Sequence, residues 1–178
     1  MIRNNPDGDY PRIDKTAYID PAAILIGKIE IGKNVFVGPG AIIRADEPDS
    51  QITIRENCNV QDRVVIHAIE QSDVLIEENT SITHGSIIHG PCKIGKGCFI
   101  GFGSVVFNAK IGNGVIVKNA CCVDGVDILP ERVVESGQVI TKPEDLRLLS
   151  MVDKNTRGFR DNVIRANLYL VKGYKRRI

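Results

Sequence analysis

The chain contains only three histidines, His67, His84 and His89, which lie close together in the sequence. Imidazole nitrogens bind Zn, Co and Fe(II) alike, and Zn–N bonds are about 2.0–2.1 Å long. Histidine ligands that leave one position to solvent are typical of catalytic metal sites, where the metal lowers the pKa of a bound water to about 7. The histidines therefore predict a metal site, with Zn as the first choice and Fe(II) or Co as alternatives. Three unconnected surface histidines are the competing interpretation.

A six-residue repeat of aliphatic residues determines where these histidines lie. Its anchors are Ile13, Ile19, Leu25; Ile31, Val37, Ile43; Ile54, Val60, Ile66; Ile76, Ile82, Ile88; Ile94, Ile100, Val106; Ile111, Val117, Val123; and Ile128, Val134, Ile140. This period is neither that of a helix nor simple strand alternation. A fixed repeat indicates a solenoid, in which each unit buries its apolar side against its neighbours. We predict an all-β solenoid over residues 13–141, with about seven triangular coils of parallel strands.

The repeat places residues with the same offset in neighbouring coils next to each other. His67 and His89 each directly follow an anchor, so they should lie about 4.8 Å apart at the backbone and point outward. Arg44 continues their column one coil earlier. His84 follows its anchor by two residues, and a corner separates it from His89. It can join the same site only from a neighbouring subunit, for which a closed ring of three chains is the natural arrangement.

Two further polar residues are candidates for this site. Asp62 has the same offset as His84 in the adjacent coil, so it could orient an imidazole. Gln61 is predicted to face outward, on the same surface as Thr83. Arg44 and Asp62 could equally form an ordinary ion pair, including one across a subunit interface.

Two insertions interrupt the repeat. Eleven residues instead of six separate Ile43 from Ile54, and ten separate Ile66 from Ile76. The acidic residues of these predicted loops are Asp46, Glu47 and Asp49 in the first and Glu70 and Asp73 in the second. Insertions in solenoids usually gather on the binding face, although surface loops of this length also cost little stability.

The two ends of the chain depart from the repeat. Residues 1–12 are predicted to be an N-terminal extension, and residues 142–178 a helical segment. Thr141 and Glu144 fit a capping box that would start a helix, which Gly158 is expected to interrupt. From Phe159 onward, apolar residues follow helical spacing. We predict an amphipathic C-terminal α-helix that packs on the side of the prism.

Composition and charge exclude several classes of partner. The formal net charge is +1, so no electrostatic attraction to nucleic acid or to an acidic membrane is expected. The first residues contain no apolar run, and no segment is long enough to span a bilayer. We therefore expect a cytoplasmic protein with no membrane partner.

Four of the five cysteines share one offset. Cys58, Cys92, Cys98 and Cys121 each follow an anchor by four residues, at an offset that elsewhere carries Ala, Ser or Thr. They are predicted to be small, reduced core residues, with metal binding or redox chemistry as the alternative.

Several stretches resemble the γ-class carbonic anhydrases. They are AYIDPAAILIGKIEIGKNVFVGPGAIIRADE (17–47), NVQDRVVIHAIE (59–70), SITHGSIIHGP (81–91), FIGFGSVVF (99–107) and NLYLVKGY (167–174). The HxxxxH spacing within a hexapeptide repeat is the most specific part of the resemblance. The family implies left-handed coils, although parallel crossovers are otherwise right-handed. It also implies a homotrimer with three interfacial metal sites, each formed by His67 and His89 of one subunit and His84 of the next.

The resemblance also implies roles for six other residues. They are Gln61, which hydrogen-bonds metal-bound solvent; Arg44 and Asp62, an interfacial pair; Glu47, which assists catalysis or proton transfer; Asn167, an active-site residue of the last helix; and Glu70, at the position of a proton shuttle. Two departures from the best-known archaeal members stand out. The loop carrying Glu70 is shorter here, and Arg165 replaces a tyrosine.

These features predict a metal-dependent carbonic anhydrase that interconverts CO2 and bicarbonate through a metal-bound hydroxide. One alternative is a catalytically silent metal-binding homologue with a scaffold or assembly role. Another is a hexapeptide acyltransferase or thioesterase. Acyltransferases of this fold usually rely on one histidine as a general base, so stoichiometric metal in the purified protein would distinguish them.

Overall fold

A computed structural model describes residues 1–176. Its strands are β1 (Ile2–Arg3), β2 (Arg12–Ile13), β3 (Tyr18–Ile19), β4 (Ile24–Gly27), β5 (Ile29–Ile31), β6 (Phe36–Val37), β7 (Ile42–Ala45), β8 (Gln51–Ile54), β9 (Asn59–Val60), β10 (Val65–His67), β11 (Asp73–Ile76), β12 (Ser81–Ile82), β13 (Ile87–Ile94), β14 (Phe99–Ile100), β15 (Val105–Ile111), β16 (Ile116–Val117), β17 (Cys122–Asp124), β18 (Asp127–Ile128), β19 (Arg132–Val134), β20 (Val139–Ile140) and β21 (Ser150–Met151). A 3₁₀ helix (Asp145–Leu148) and one α-helix, α1 (Lys154–Lys175), complete the elements of residues 1–176.

The strands form a left-handed parallel β-helix of about seven coils, as predicted. Every strand pair is parallel except β19 with β21, which is antiparallel and closes the last coil. At the other end, β1 pairs with β4 and covers part of the first coil. Residues 177–178 of the predicted helical segment lie outside the described residues.

The aliphatic anchors fill the interior of the prism. From Leu25 onward, each anchor is at most 4% exposed, while Ile13 and Ile19 in the first coil are half-buried. Each anchor stacks on the equivalent residue of the next coil, as in the pairing of Ile66 with Ile88. Stacking in register explains why a chain with so few aromatic residues can still bury a continuous core.

Asparagines stabilise one corner of the prism. Asn34, Asn57 and Asn79 adopt left-handed backbone conformations, with φ of 55°, 58° and 57°. Asparagine tolerates this conformation better than most residues because its short amide can form local hydrogen bonds. The three side chains form a ladder, in which Asn34 donates to Asn57 at 3.1 Å and Asn57 donates to Asn79 at 3.3 Å.

Outward-facing residues divide the prism into three faces. The aliphatic face carries the column Ile24, Ile42, Val65, Ile87, Val105, Cys122 and Val139. The charged face carries Arg12, Glu30, Thr53, Leu75, Lys93, Lys110 and Asp127. The helix face carries Tyr18, Phe36, Asn59, Ser81, Phe99, Ile116 and Val133. Within one chain, only the helix-face column is buried throughout.

Helix α1 packs along the helix face, as predicted. Near its middle, Val163 packs against a cluster that includes Phe99 and Ile116. Near its end, Val171 packs against Tyr18 and Phe36. The helix therefore runs back along the prism from the last coils towards the first.

The prediction of a helix start at Thr141 was wrong. The carboxylate of Asp145 accepts hydrogen bonds from the N–H groups of Thr141 and Lys142, and only a short 3₁₀ helix follows. Helix α1 begins at Lys154 and is capped by Asp153, whose carboxylate accepts from the N–H of Thr156 at 2.7 Å. The expected interruption at Gly158 was also wrong, since α1 continues through it.

The predicted core position of these cysteines is confirmed. Cys58, Cys92, Cys98 and Cys121 are all buried and unpaired. Burial raises the pKa of Cys58, Cys92 and Cys98 to about 12. Buried thiols with such pKa values remain protonated, which makes them poor nucleophiles and poor metal ligands. Within residues 1–176, no helix combines the length and hydropathy needed to cross a membrane.

Candidate metal centre

His67 and His89 lie side by side on strands β10 and β13, in the predicted register. Nδ1 of His67 is 3.2 Å from Nε2 of His89, and the two rings are nearly perpendicular. Two nitrogens bound to one tetrahedral ion at about 2.0–2.1 Å would be about 3.3 Å apart. The two imidazoles therefore already have the spacing of ligands that share a metal.

The tautomer of His89 also fits a metal ligand. Its Nδ1 lies 3.1 Å from the carbonyl oxygen of Gly90, to which it can donate a hydrogen bond. This bond places the proton on Nδ1 and leaves the lone pair of Nε2 directed at His67. Such a hydrogen bond on the opposite ring nitrogen is a common feature of metal-binding histidines.

His67 is held in a partly acidic environment. Its Nε2 is 3.2 Å from Oε1 of Glu47 and 3.8 Å from Oδ1 of Asp46. Among the described residues, this buried nitrogen has no hydrogen-bond partner, because neither carboxylate is aligned with it. Burial lowers the pKa of His67, and the Arg44 guanidinium lowers it further, against the opposing effect of Glu47. The lowered pKa favours the neutral imidazole, which is the form that binds metals.

Arg44 lies in the same column one coil before His67, as predicted, and pairs with His67 in register. Its Nε donates to both carboxylate oxygens of Asp46 at 3.2 Å. Asp46 was recognised from the sequence only as a loop residue, although it follows Arg44 by two positions, which places both side chains on the same face of an extended chain. Arg44, Asp46, Glu47, His67 and His89 together form what we call the first half-site.

His84 lies on a different edge of the prism and pairs with Asp62. Nδ1 of His84 is 3.2 Å from Oδ2 of Asp62, and both side chains are about half exposed. Within residues 1–176, no group of three His, Cys, Asp or Glu side chains is arranged to hold a metal ion. A single chain thus brings two histidines together and leaves the third with its carboxylate partner. We call Gln61, Asp62 and His84 the second half-site.

Gln61 and Thr83 are both buried, although both follow an anchor by one residue, an offset that faces outward from the prism. The amide nitrogen of Gln61 donates to Oδ1 of Asn59 at 2.8 Å, and Nδ2 of Asn59 donates to Oγ of Ser81 at 2.7 Å. Sequence reasoning missed Asn59. Asn59 could have been found from the sequence, because it is a polar residue in a column whose other members are mostly aromatic or aliphatic.

Asn167 is buried on helix α1 and donates to the carbonyl oxygen of Val163 at 2.9 Å. It lies four residues from both Val163 and Val171, which pack on opposite ends of the helix face. Asn167 is therefore at the level of Asn59 and Ser81, the polar part of that face. The polar residues of α1 and of the prism therefore lie at the same level of the helix face, beside Gln61 of the second half-site.

Within residues 1–176, the carboxylate of Glu70 makes no contact with the three histidines. The residue is exposed, and its backbone N–H donates to Oε2 of Glu47 at 2.8 Å. The two acidic insertions are thus joined to each other, and Glu47 links them to His67.

Comparison with known proteins finds a hexapeptide-repeat family, a carbonic anhydrase and a carboxysome protein among the relatives of this chain. Residues 73–108 match the model for the bacterial transferase hexapeptide (six repeats). The carbonic anhydrase of Methanosarcina thermophila is 36% identical over 96% of this chain and 77% of its own length. The carboxysome assembly protein CcmM of Nostoc sp. is 40% identical over 92% of this chain, which spans only 31% of that protein. A hexapeptide transferase family protein from Anaplasma phagocytophilum has a TM-score of 0.83 with 25% identity, covering 98% of both chains.

Proposed function

The chain belongs to the γ-class carbonic anhydrase family of hexapeptide-repeat proteins, and we propose that it is a metal-dependent carbonic anhydrase. It would catalyse the reversible hydration of CO2 to bicarbonate, at sites shared between the subunits of a homotrimer. The observation that carries this proposal is the 3.2 Å separation of Nδ1 of His67 and Nε2 of His89. This spacing suits two ligands of one tetrahedral ion.

The incomplete half-sites support a site shared between two copies of the chain. The first half-site has two imidazoles but needs at least one more protein ligand, and the second half-site has one imidazole, His84, on an exposed edge. When a second copy brings its His84 to His67 and His89, the set becomes three histidines with one position left for solvent or substrate. This ligand count is typical of catalytic zinc.

The aliphatic face supplies a surface on which a second copy could pack. Val65 and Ile87 lie two residues before His67 and His89 on the same strands, so the column borders the first half-site. All its members are half-buried or exposed within one chain, with Ile87 at 39% and Val139 at 62%. A long uncovered aliphatic column is typical of a protein interface. Three copies that use the same pair of surfaces close into a ring.

The bound metal, Zn or alternatively Co or Fe(II), would act as a Lewis acid that lowers the pKa of a coordinated water to about 7. Asn59 holds the amide nitrogen of Gln61, so the carbonyl oxygen of Gln61 is free to accept a hydrogen bond and orient the attacking oxygen. Glu47 would receive the released proton through intervening solvent, because its Oε1 lies beside Nε2 of His67, the ring nitrogen that faces away from His89. Because its side chain is 39% exposed, it can pass the proton to buffer.

Metal analysis and a CO2 hydration assay on the same anaerobically purified sample test this proposal. Protein loaded with Zn, Co or Fe(II) should accelerate CO2 hydration, and His89→Ala should abolish both the bound metal and the acceleration. A fully loaded wild-type protein that shows no acceleration with any of the three metals would refute the proposed activity.

A catalytically silent scaffold is the second candidate, favoured by the similarity to CcmM of Nostoc sp.. That relative is a carboxysome assembly protein, and this chain corresponds to less than a third of it. The scaffold hypothesis predicts full metal occupancy and a trimer without turnover. The same paired experiment therefore distinguishes the two functions.

A further inference from the structure

The two insertions contain β-turns of the same kind, at residues 47–50 and 69–72. In each, the carbonyl oxygen of the first residue accepts from the N–H of the fourth, at 3.3 Å and 3.1 Å. The third residues, Asp49 and Gln71, have positive φ of 54° and 53°. The fourth residue of each turn is a serine, whose hydroxyl donates to the carbonyl oxygen of the first residue at 2.7 Å and 2.8 Å. These features describe two type II-like turns.

The second turn is stacked on the first. The N–H of Gln71 donates to the carbonyl oxygen of Pro48 at 3.0 Å, and the N–H of Gln51 donates to that of Ser72 at 3.1 Å. Ser50 and Ser72 are both buried. The insertions therefore form one hydrogen-bonded unit at the edge of the first half-site.

Glu70 and Pro48 occupy the same position in their turns, the second of four residues. Proline is favoured there because this position has φ near −60° and its N–H makes no bond within the turn. In the second turn the corresponding N–H belongs to Glu70 and is used differently, since it donates to Oε2 of Glu47 at 2.8 Å. The other carboxylate oxygen of Glu47 is then 3.2 Å from Nε2 of His67.

We propose that Glu70 is a positioning residue that acts through its backbone amide, which holds the Glu47 carboxylate against His67, while its own carboxylate takes no part in the site. The inference rests on the proposed function, because it assigns Glu47 a role at the metal centre. The short second insertion thus serves to place Glu47, and it does not supply a second carboxylate.

Substitutions at position 70 separate the amide from the side chain. Glu70→Pro removes the N–H in a turn that tolerates proline, as the equivalent Pro48 demonstrates. We expect it to lower kcat by about tenfold or more, since small misplacements of a catalytic group are costly. Glu70→Gln and Glu70→Ala keep the amide and should retain at least about a third of the wild-type kcat. Metal content and trimer mass of each variant provide the control for folding.

If Glu70→Gln lowers kcat as much as Glu70→Pro, the side chain is the functional group and the proposal is wrong. The same conclusion follows if Glu70→Pro has wild-type kcat. A proton-transfer role for the Glu70 carboxylate would also make Glu70→Gln sensitive to buffer concentration, whereas a positioning amide would not.

Amide hydrogen exchange tests the positioning without using activity. In Glu47→Ala, the Glu70 amide should exchange about fivefold faster than in the wild type or move clearly in the ¹H–¹⁵N spectrum. The Gln71 amide, bonded to the backbone of Pro48, is the internal control and should stay within about twofold. An unchanged Glu70 amide would overturn the proposal. If the wild type does not hydrate CO2, the proposed function fails, and this measurement still decides whether Glu70 positions Glu47.

Discussion

Mixed trimers of two inactive variants would test whether each metal site is shared between chains. His84→Ala disables the second half-site, and His89→Ala disables the first. Each variant alone has no complete set of three histidines. In a trimer that contains both, a site is complete only where a His84→Ala chain supplies the first half-site and a His89→Ala chain supplies the second.

The geometry of a closed ring fixes the size of the expected recovery. A mixed trimer contains either two copies of one variant or two of the other, and in both cases only one of its three interfaces has the required orientation. We therefore expect metal content and kcat per chain of about one third of the wild-type values in purified mixed trimers. In a random mixture with equal amounts of both chains, each half-site of a given interface is the intact one with a probability of about one half. Metal content and kcat per chain should then be about one quarter of the wild-type values.

Co-expression with two different affinity tags, followed by purification on both, yields the mixed trimers for metal analysis and stopped-flow CO2 hydration. The single variants, carried through the same steps, provide the baseline. Mixed trimers that bind no more metal than this baseline would refute a site built from two chains. Full metal binding by either variant alone would refute the three-histidine ligand set.

Three further predictions concern the stability and reactivity of the chain. Ile82→Ala should lower the free energy of unfolding by about 2–5 kcal/mol and Ile82→Val by about 1 kcal/mol, measured by urea unfolding at fixed protein concentration, because Ile82 is fully buried between neighbouring coils. Equal effects of the two substitutions would contradict that packing. Asp153→Ala should cost about 1 kcal/mol by removing the cap of α1, and an unchanged melting temperature would argue against the cap. Cys58 and Cys98 should remain unlabelled by a thiol reagent at pH 8 until urea unfolds the chain, since burial raises both pKa values to about 12, and rapid labelling of the folded protein would contradict this.

The repeat made much of the fold and the first half-site predictable from the sequence. Once the anchors are aligned, two residues at the same offset must be neighbours, which correctly paired His67 with His89 and Arg44 with His67. The positions of both insertions followed from the same alignment. The left-handed sense did not, because nothing in the spacing opposes the usual right-handed crossover, and it came from the family resemblance.

The features that were missed depend on what covers the prism and on local competition for hydrogen bonds. The repeat assigns Gln61 to a side of the prism but does not show whether that side is covered, so its burial was not foreseen. Thr141 and Glu144 matched a capping pattern, yet the carboxylate of Asp145 binds the N–H groups that such a cap would organise. Gly158 does not interrupt α1, because a single glycine inside a helix costs only about 1 kcal/mol.

The division of the prism into three dissimilar faces limits how this protein can change in length. Deleting one residue within a side would turn every later side chain of that side from the interior to the surface, or the reverse. Deleting six residues between His67 and His84 would keep the anchors in the interior but would rotate all later residues by one side of the prism. His89 would then no longer lie in the same column as His67. The insertions at 46–50 and 68–72 can gain or lose residues without such a rotation. The same corner in a later coil has already lost one residue, since Val106 and Ile111 are five residues apart where Ile88 and Ile94 are six apart, and the register shifts there. These are the places where we expect the lengths of related chains to differ.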